Sequence, residues 1–410
     1  MAACILYLVI LFSNSLESVV PQAKYIDELL LFAFLLAAVV KICVDEVSLD
    51  GWNRYDLALA VMLFLFLLTG TASTLLNGSD TSLTAVVKDL VLCGKFFAVF
   101  LCGKLLFLTA DREEMFRRLR RMTRLLVTVI FLCGILSLFV NIGMGDQVRF
   151  GLRSYRFLFT HYMFLVYAEA VMTSVLCTGK DEDNRIYIGM SLGTMLLTLR
   201  TKAVVFCIIF LVFFLVERLG KEIKLRYYVL AGVAGIAVAW GKITEYLSWG
   251  FTYNMRNGLY LAGARLAAEY FPLGVGFAGF GSNLSYEYNT QIYYDLGLNT
   301  YQGFDRGAPV VSDVFWPYIY GEFGVIGFLL YVGMLVMIFF SLREELREQP
   351  ELMRGANCIF AYLLVASMAE AVFTNSTGVC SALLLSVYFR RTCRRSAEHS
   401  ACRTPFLIRF

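Results

Sequence analysis

Long apolar stretches, separated by short charged segments, dominate the chain. Leu57–Leu76, Leu125–Val140, Ala203–Val216 and Phe323–Phe340 are the clearest of them. Each is long or nearly long enough to cross, as a helix, a bilayer core of about 30 Å. Extending the same criterion along the chain predicts twelve spans, near 3–16, 26–43, 56–76, 84–109, 124–142, 157–178, 186–199, 202–218, 227–241, 315–341, 356–374 and 377–390. The first, seventh, ninth and twelfth are the short ones. Met1-Ala2-Ala3-Cys4 lacks the basic segment that opens a cleavable signal peptide, so the first stretch counts as a span. One departure breaks the pattern: 73 mostly polar residues, 242–314, lie between the ninth and tenth spans. The expectation is an all-α polytopic membrane protein, a single domain over 1–410 with about twelve transmembrane helices and one large extracytoplasmic loop.

Composition strengthens this picture. Hydrophobic residues make up 59% of the chain and charged residues 17%, against about 25% charged in soluble proteins. The charges that remain orient the bundle. Arg112, Arg117, Arg118, Arg120, Arg121 and Arg124 cluster before the fifth span. Arg218, Lys221, Lys224 and Arg226 follow the eighth, Arg343, Arg347 and Arg354 follow the tenth, and Arg390, Arg391, Arg394 and Arg395 open the tail. With twelve spans all of these fall on one side, which the positive-inside rule makes cytoplasmic. The loop 242–314 then lies outside. The net charge of +4 is accounted for by these basic loops and gives no reason to expect nucleic acid as a partner.

Eleven cysteines lie in spans, at their ends or in the tail, and the long loop has none, so no disulfide holds it. With only His161 and His399 in the chain, a histidine-rich metal centre is excluded. Internal repeats, low-complexity linkers and a second soluble domain are not discernible.

Several cations stand on the side where the rule disfavours them. Arg149, Arg153 and Arg156 precede the sixth span, and Arg200 and Lys202 occupy the tight turn between the seventh and eighth. Arg256, Arg265 and Arg306 lie in the long loop. Arginine's planar fork suits phosphate oxygens, through paired charge-assisted hydrogen bonds. The ordinary alternatives are snorkelling and surface ion pairs; the turn at Arg200 is too short for an ordinary solvated surface. Lys88, Asp89, Lys95, Glu169 and Glu370 fall inside predicted spans, where they are expected to pair within the bundle or line a cavity.

The loop also carries the run Phe271-Pro272-Leu273-Gly274-Val275-Gly276-Phe277-Ala278-Gly279-Phe280-Gly281-Ser282. Gly274 to Gly279 spell a dinucleotide fingerprint, but Pro272 precedes it and no strand–helix–strand pattern surrounds it. Glycines that let backbone pack tightly on helices or approach a ligand are the better reading. Trp249, Tyr260, Tyr286, Tyr288, Tyr293, Tyr294, Tyr301 and Phe304 crowd the same loop, either as faces for sugar rings or as an interfacial belt.

The stretch Arg265 to Ser282, Ser312-Asp313-Val314-Phe315-Trp316-Pro317, and Gly321-Glu322-Phe323-Gly324-Val325-Ile326-Gly327 together resemble the O-antigen and capsular polysaccharide polymerases of the Wzy type, within the O-antigen polymerase and ligase superfamily. Leu199-Arg200-Thr201-Lys202-Ala203 resembles their basic motif between two spans. The motif-level likeness covers about 190–330. Related ligases usually carry a histidine about where Asp313 stands, nine residues before the glutamate, so this departure favours polymerase over ligase.

The resemblance implies a multi-span GT-C-like glycosyltransferase in the bacterial inner membrane, needing no cofactor or metal. It would join oligosaccharide repeat units carried on undecaprenyl diphosphate at the outer face. Its partners would be lipid-linked donor and acceptor, membrane lipids and a chain-length regulator. In that chemistry arginines stabilise the departing diphosphate and a carboxylate orients or deprotonates the acceptor hydroxyl. Asp313 is the first candidate for the carboxylate and Glu322 the second, with bracing of a span as the alternative role for Glu322. Arg149, Arg156, Arg200, Lys202, Arg256, Arg265 and His161 are the candidates for substrate and diphosphate binding, and His161 alternatively packs through a hydrogen bond. A ligase and a transporter or flippase of lipid-linked sugars are the competing readings; a transporter is expected to show repeats and broken midplane helices, and neither is legible in the chain.

Reporters fused after Asp80 or within 283–306 are expected to sense the outer compartment, and those after Arg118 or Arg395 the cytoplasm. A cytoplasmic signal from 283–306 would reverse the orientation.

Overall fold

The computed structural model describes residues 2–20, 22, 25–45, 52–78, 82–106, 112–179, 184–218, 233, 254–301, 303–304 and 310–388. The ninth predicted span apart from residue 233, together with Trp249, Arg306 and the tail from Arg390, lies outside them. The rest is almost wholly helical. Among the described residues, eight helices precede residue 219: α1 Ala2–Val19, α2 Ile26–Asp45, α3 Arg54–Asn77, α4 Leu83–Leu106, α5 Arg112–Phe139, α6 Tyr162–Leu176, α7 Asn184–Leu197 and α8 Thr201–Arg218. Beyond it come α9 Met255–Glu269, the short α10 Asn283–Tyr288 and α11 Gln291–Asp295, then α12 Trp316–Glu345, α13 Pro350–Ser367 and α14 Ser376–Val387. A two-stranded hairpin, β1 Val148–Arg149 and β2 Leu152–Arg153, is the only sheet among the described residues.

Local chemistry sets several boundaries. Asn53 and Asp56 start α3 as a reciprocal cap, each side chain accepting from a backbone N–H near the other. Asn254 and Asn375 cap α9 and α14 in the simpler way, and prolines stand in the first turns of α12 and α13, where a missing N–H costs nothing.

Arg54–Asn77, Glu113–Phe139 and Trp316–Glu345 are long and apolar enough to cross a membrane, and Cys4–Leu16, Tyr162–Leu176, Thr201–Leu215 and Ser376–Val387 are shorter apolar helices. The pattern on α3 shows why a membrane is the fitting solvent. Leu59, Phe66, Gly70 and Ser73 are buried along one face, while Leu57, Val61, Phe64 and Leu68 lie exposed along another. Both faces are apolar, and a soluble bundle would cover only one of them with apolar residues. α5 repeats the pattern, with Val127 and Ile130 buried and Leu125, Leu132 and Leu136 exposed. The chain is thus an all-α membrane protein.

Packing is tightest where α12 lies against α3 and α9, with α4 against α14 and α2, and α6 against α13 and α7. The buried lysines of this bundle are paired with carboxylates. Lys104 reaches Asp56, Glu345 at 2.7 Å and Ser341 at 3.1 Å, joining α3, α4 and α12 at the end opposite the long loop. Lys95 pairs with Asp27, with Glu28 at 3.7 Å. Glu169 accepts from Ser191 at 2.5 Å, and Lys202 holds Glu370 at 2.8 Å. Lys88 differs: it is exposed and donates to the Tyr288 hydroxyl at 3.0 Å.

α12 is not continuous. Gly324 stands at φ 62°, ψ −160°, outside helical space, a break that the sequence pattern did not reveal. The long loop fills the gap, as described below.

The Lys104 network yields a prediction. Lys104→Ala leaves Asp56 buried without its cation, a loss of about 3–5 kcal/mol for a broken buried pair. Thermal unfolding in detergent should show a large fall in Tm, and an unchanged Tm would mean that Asp56 is neutral in the native protein.

Candidate functional site

The glycine-rich run leaves α9 and turns back into the bundle, between α3, α4 and the break in α12. Its conformation is one only glycine accommodates at two points. Gly276 has φ +90°, and a β-carbon there would lie 2.5 Å from Thr74 Cα; Gly274, at φ +77°, would meet the backbone of Gly324 at 2.5 Å. The run is stitched to its surroundings by backbone groups. Val275 and Gly276 donate to the carbonyls of Gly321 and Glu322 at 3.1 and 2.8 Å, and Ile326 donates to the Pro272 carbonyl at 3.3 Å. These are the α12 groups freed by the break at Gly324.

Side chains complete the seat. Ser73 and Asn77 donate to the Gly274 carbonyl at 2.8 and 2.9 Å, and Thr74 accepts from the Phe277 N–H at 2.8 Å. Asp89 accepts from the Ala278 N–H at 2.8 Å and from the Tyr318 hydroxyl at 2.8 Å. Glu322 accepts from the Phe280 N–H at 2.9 Å. The second oxygen of Glu322, Oε2, is also buried and has no hydrogen-bond partner. Glu322 is therefore fully buried as a brace for the loop, in the position of its alternative role, and is separate from the cations discussed next.

Most of the sequence-selected cations gather elsewhere, at the same end of the bundle. Arg200 is only 7% exposed in its turn. Its guanidinium lies 4.3 Å from the centre of the Tyr162 ring and donates from Nη2 to Gln147 Oε1 at 2.8 Å, while Nε, also buried, has no partner. Arg149 is close enough for its charge to act on Arg200, and Arg156 and Arg200 both act on Asp146. The Tyr162 hydroxyl donates to Asp146 and, with these arginines, holds its carboxyl below the usual carboxylate range. Arg156 itself donates to the Thr160 carbonyl at 3.0 Å. Lys202 is committed to Glu370 and to Tyr362.

His161 links this group to the loop. It caps α6, where Nδ1 accepts from the Met163 N–H at 3.3 Å. The protein packed around the ring and the charges of Arg200 and Lys202 hold its imidazole below its ordinary value, while Glu370 and Asp313 act in the opposite sense. Asp313 is thus within electrostatic reach of His161. Arg256 donates to Asp313 Oδ2 from Nε at 3.2 Å and Nη2 at 2.8 Å, with both side chains more than a third exposed. Both bonds end on the same oxygen, leaving Oδ1 for another donor.

Arg265 is not brought to this group. Nine residues separate it from Arg256 on α9, half a turn around the helix axis. It faces outward, 68% exposed and 3.9 Å from Glu269.

The loop aromatics mostly pack on one another. Tyr293 and Phe304 are buried, with Tyr260, Tyr286 and Tyr301 around them, in a small core separate from that of the bundle. The Tyr293 hydroxyl accepts from the Gly281 N–H at 2.8 Å. Tyr294 keeps an exposed ring.

Asp146, Gln147 and Tyr162 shape the surroundings of Arg200, and sequence reasoning passed over all three. Tyr162 directly follows His161 at the mouth of a predicted span, which was the available signal. Among the described residues, no three His, Cys, Asp or Glu side chains gather as a metal-binding group. In comparison with known proteins, the chain matches no family model and no curated sequence.

The brace can be tested directly. Glu322→Ala leaves the buried Phe280 N–H without its acceptor, at a cost of about 1–3 kcal/mol. Glu322→Gln keeps a carbonyl for the Phe280 N–H, so it should lose much less. Unfolding in detergent, with protease cleavage within 271–282 as a local readout, separates the two; equal losses would mean that the acceptor is not what holds the loop.

Proposed function

We propose that the protein is a polysaccharide polymerase, which joins oligosaccharide repeat units carried on undecaprenyl diphosphate at the outer face of a bacterial inner membrane. The observation that supports it best is the grouping of Arg156 and Arg200 about Asp146 and Tyr162, with Arg149 beside Arg200 and the Arg256–Asp313 pair within electrostatic reach of His161. A polytopic arrangement of about twelve spans, of the GT-C-like kind, belongs to the same proposal, as does a chain-length regulator as partner.

On this reading the diphosphate of the donor sits on the forks of Arg200 and Arg149. An acceptor hydroxyl gives its proton to Asp313 Oδ1 while its oxygen attacks the anomeric carbon. The bond from that carbon to the diphosphate oxygen breaks, and the lipid diphosphate leaves with the electron pair. Arg200 suits the task because it is held in place before substrate arrives, by the Tyr162 ring and Gln147, with a buried N–H still unmet. Preorganised donors of this kind need no reorientation as charge develops. The break in α12 does not by itself favour a transporter, because the protein's own loop fills it and takes the backbone groups it frees.

Arg200→Ala should remove a donor to the diphosphate and cost about 2.7–4 kcal/mol in the barrier, a rate loss on the order of a hundredfold or more. Arg200→Lys should recover part of this, since a point charge cannot reproduce the fork. Arg265→Ala should change the rate less than threefold. Asp313→Asn should abolish polymer while single repeat units still reach the outer face. Polymerisation of purified lipid-linked repeat units measures all four. Normal polymer from both Arg200→Ala and Asp313→Asn, at normal expression, would overturn the assignment.

A further inference from the structure

Apart from Arg149, the hairpin Val148–Arg153 has chemistry that neither the bundle nor the proposed reaction uses. Phe150 and Gly151 form its turn, with φ of 52° and 76°, the left-handed pair that a tight two-residue turn requires. The turn projects Phe150 outward at 89% exposed, beside Val148 at 68% and Leu152 at 51%. Across the strands Val148 faces Arg153 and Arg149 faces Leu152, so each face of the hairpin carries one aliphatic and one arginine.

The apolar tip is not a frayed segment. Ser154 donates to the Gln147 carbonyl at 2.8 Å and Arg156 to the Met144 carbonyl at 2.9 Å, closing the base of the hairpin. Tyr155 then ties it to the bundle, through its N–H to the Leu197 carbonyl at 3.0 Å and its hydroxyl to the Ile130 carbonyl at 2.7 Å. A firmly mounted element therefore presents three apolar side chains with nothing from the described residues over them.

Two observations identify the occupant. The hairpin is continuous with the apolar outer surface of α5, whose last turn exposes Phe139 at 82% and leads into exposed Val140. Arg153, opposite Val148 on the second strand, supplies a positive fork beside this apolar surface, complementary to the phosphate oxygens of lipid headgroups. An arginine stem that buries along an apolar surface while its head reaches the phosphate layer reconciles the mixed face.

We propose that the Val148–Arg153 hairpin is a lipid-docking element: its tip at Phe150 enters the leaflet at that end of the bundle, and Arg153 holds a headgroup phosphate. The proposal rests on the membrane character of the bundle and is independent of the glycosyltransferase reading. Its consequence for the neighbouring site is direct, because Gln147, the acceptor of Arg200, is the residue before β1.

The test uses the full chain reconstituted in phosphatidylethanolamine–phosphatidylglycerol vesicles. The emission added by Phe150→Trp should be blue-shifted, quenched by lipids brominated on their acyl chains and shielded from aqueous iodide. Phe139→Trp, at the end of α5, is the reference for a correctly inserted bundle. If Phe139→Trp is quenched by brominated lipid while the Phe150→Trp emission is quenched only by iodide, the hairpin stands in water and the proposal fails. Emission shielded from iodide but insensitive to brominated lipid would reveal a protein occupant, a second copy or another chain, and overturns it equally. Adding Arg153→Glu to Phe150→Trp should cut the brominated-lipid quenching by at least half, and unchanged quenching would overturn the phosphate contact.

Discussion

Backbone that is neither helix nor sheet can lie inside a membrane protein only if the protein itself satisfies each buried N–H and carbonyl. The site end of this bundle is organised around that requirement. The glycine-rich run 271–282 and the break at Gly324 are two irregular segments, either of which alone would strand polar groups within the bundle. Placed together they satisfy each other: Val275 and Gly276 take the carbonyls that the break releases, and Pro272 takes the N–H of Ile326. Ser73, Thr74, Asn77, Asp89 and Glu322 meet what is left. The loop's own aromatic core and the segment bearing Asp313 are built outward from this seat.

The contrast between the two carboxylates of the resemblance follows from the same requirement. Glu322 and Asp313 are close in sequence and share a motif, yet one serves backbone deep in the bundle and the other serves an arginine at its rim. Burial decides between them. A carboxyl group fully buried in the bundle with one oxygen committed to the Phe280 N–H is shut off from a substrate, whereas Asp313 retains an oxygen and partial access to solvent. Arg200 shows the opposite arrangement, a buried cation left partly unsatisfied although Tyr162 and Gln147 fix its position. Such groups are costly to stability, and they cluster where a protein binds charge.

Helices were legible because apolar stretches of spanning length have few other uses, and pairing within the bundle was legible for Lys95 and Glu370, whereas Glu169 meets a serine hydroxyl and Lys88 stands exposed. The partners were not legible. Lys202 meets Glu370 from 168 residues away and Arg256 meets Asp313 from 57, separations that no local pattern encodes. Other features were present in the chain and could have been read further. The nine-residue spacing of Arg256 and Arg265 already places them on opposite faces of a helix. The glycine run showed that backbone would approach something closely, and what it approaches is the neighbouring helices. The break in α12 was hidden because glycine is ordinary in membrane helices, so Gly324 carried no distinguishing mark.

The seat of the glycine-rich loop also has a bearing on how the protein is made. Ribosomes deliver α3 and α4 first, so Thr74 and Asp89 are in the membrane when residues 271–282 emerge. Glu322 and the carbonyls of the break arrive only with the following helix. Until then part of the loop's backbone has no internal partner and is best kept in water or by the insertion machinery. The loop can close into the bundle only after α12 has entered, which makes this helix the latch of biogenesis. A truncation that ends before it would leave earlier helices inserted but the site unassembled.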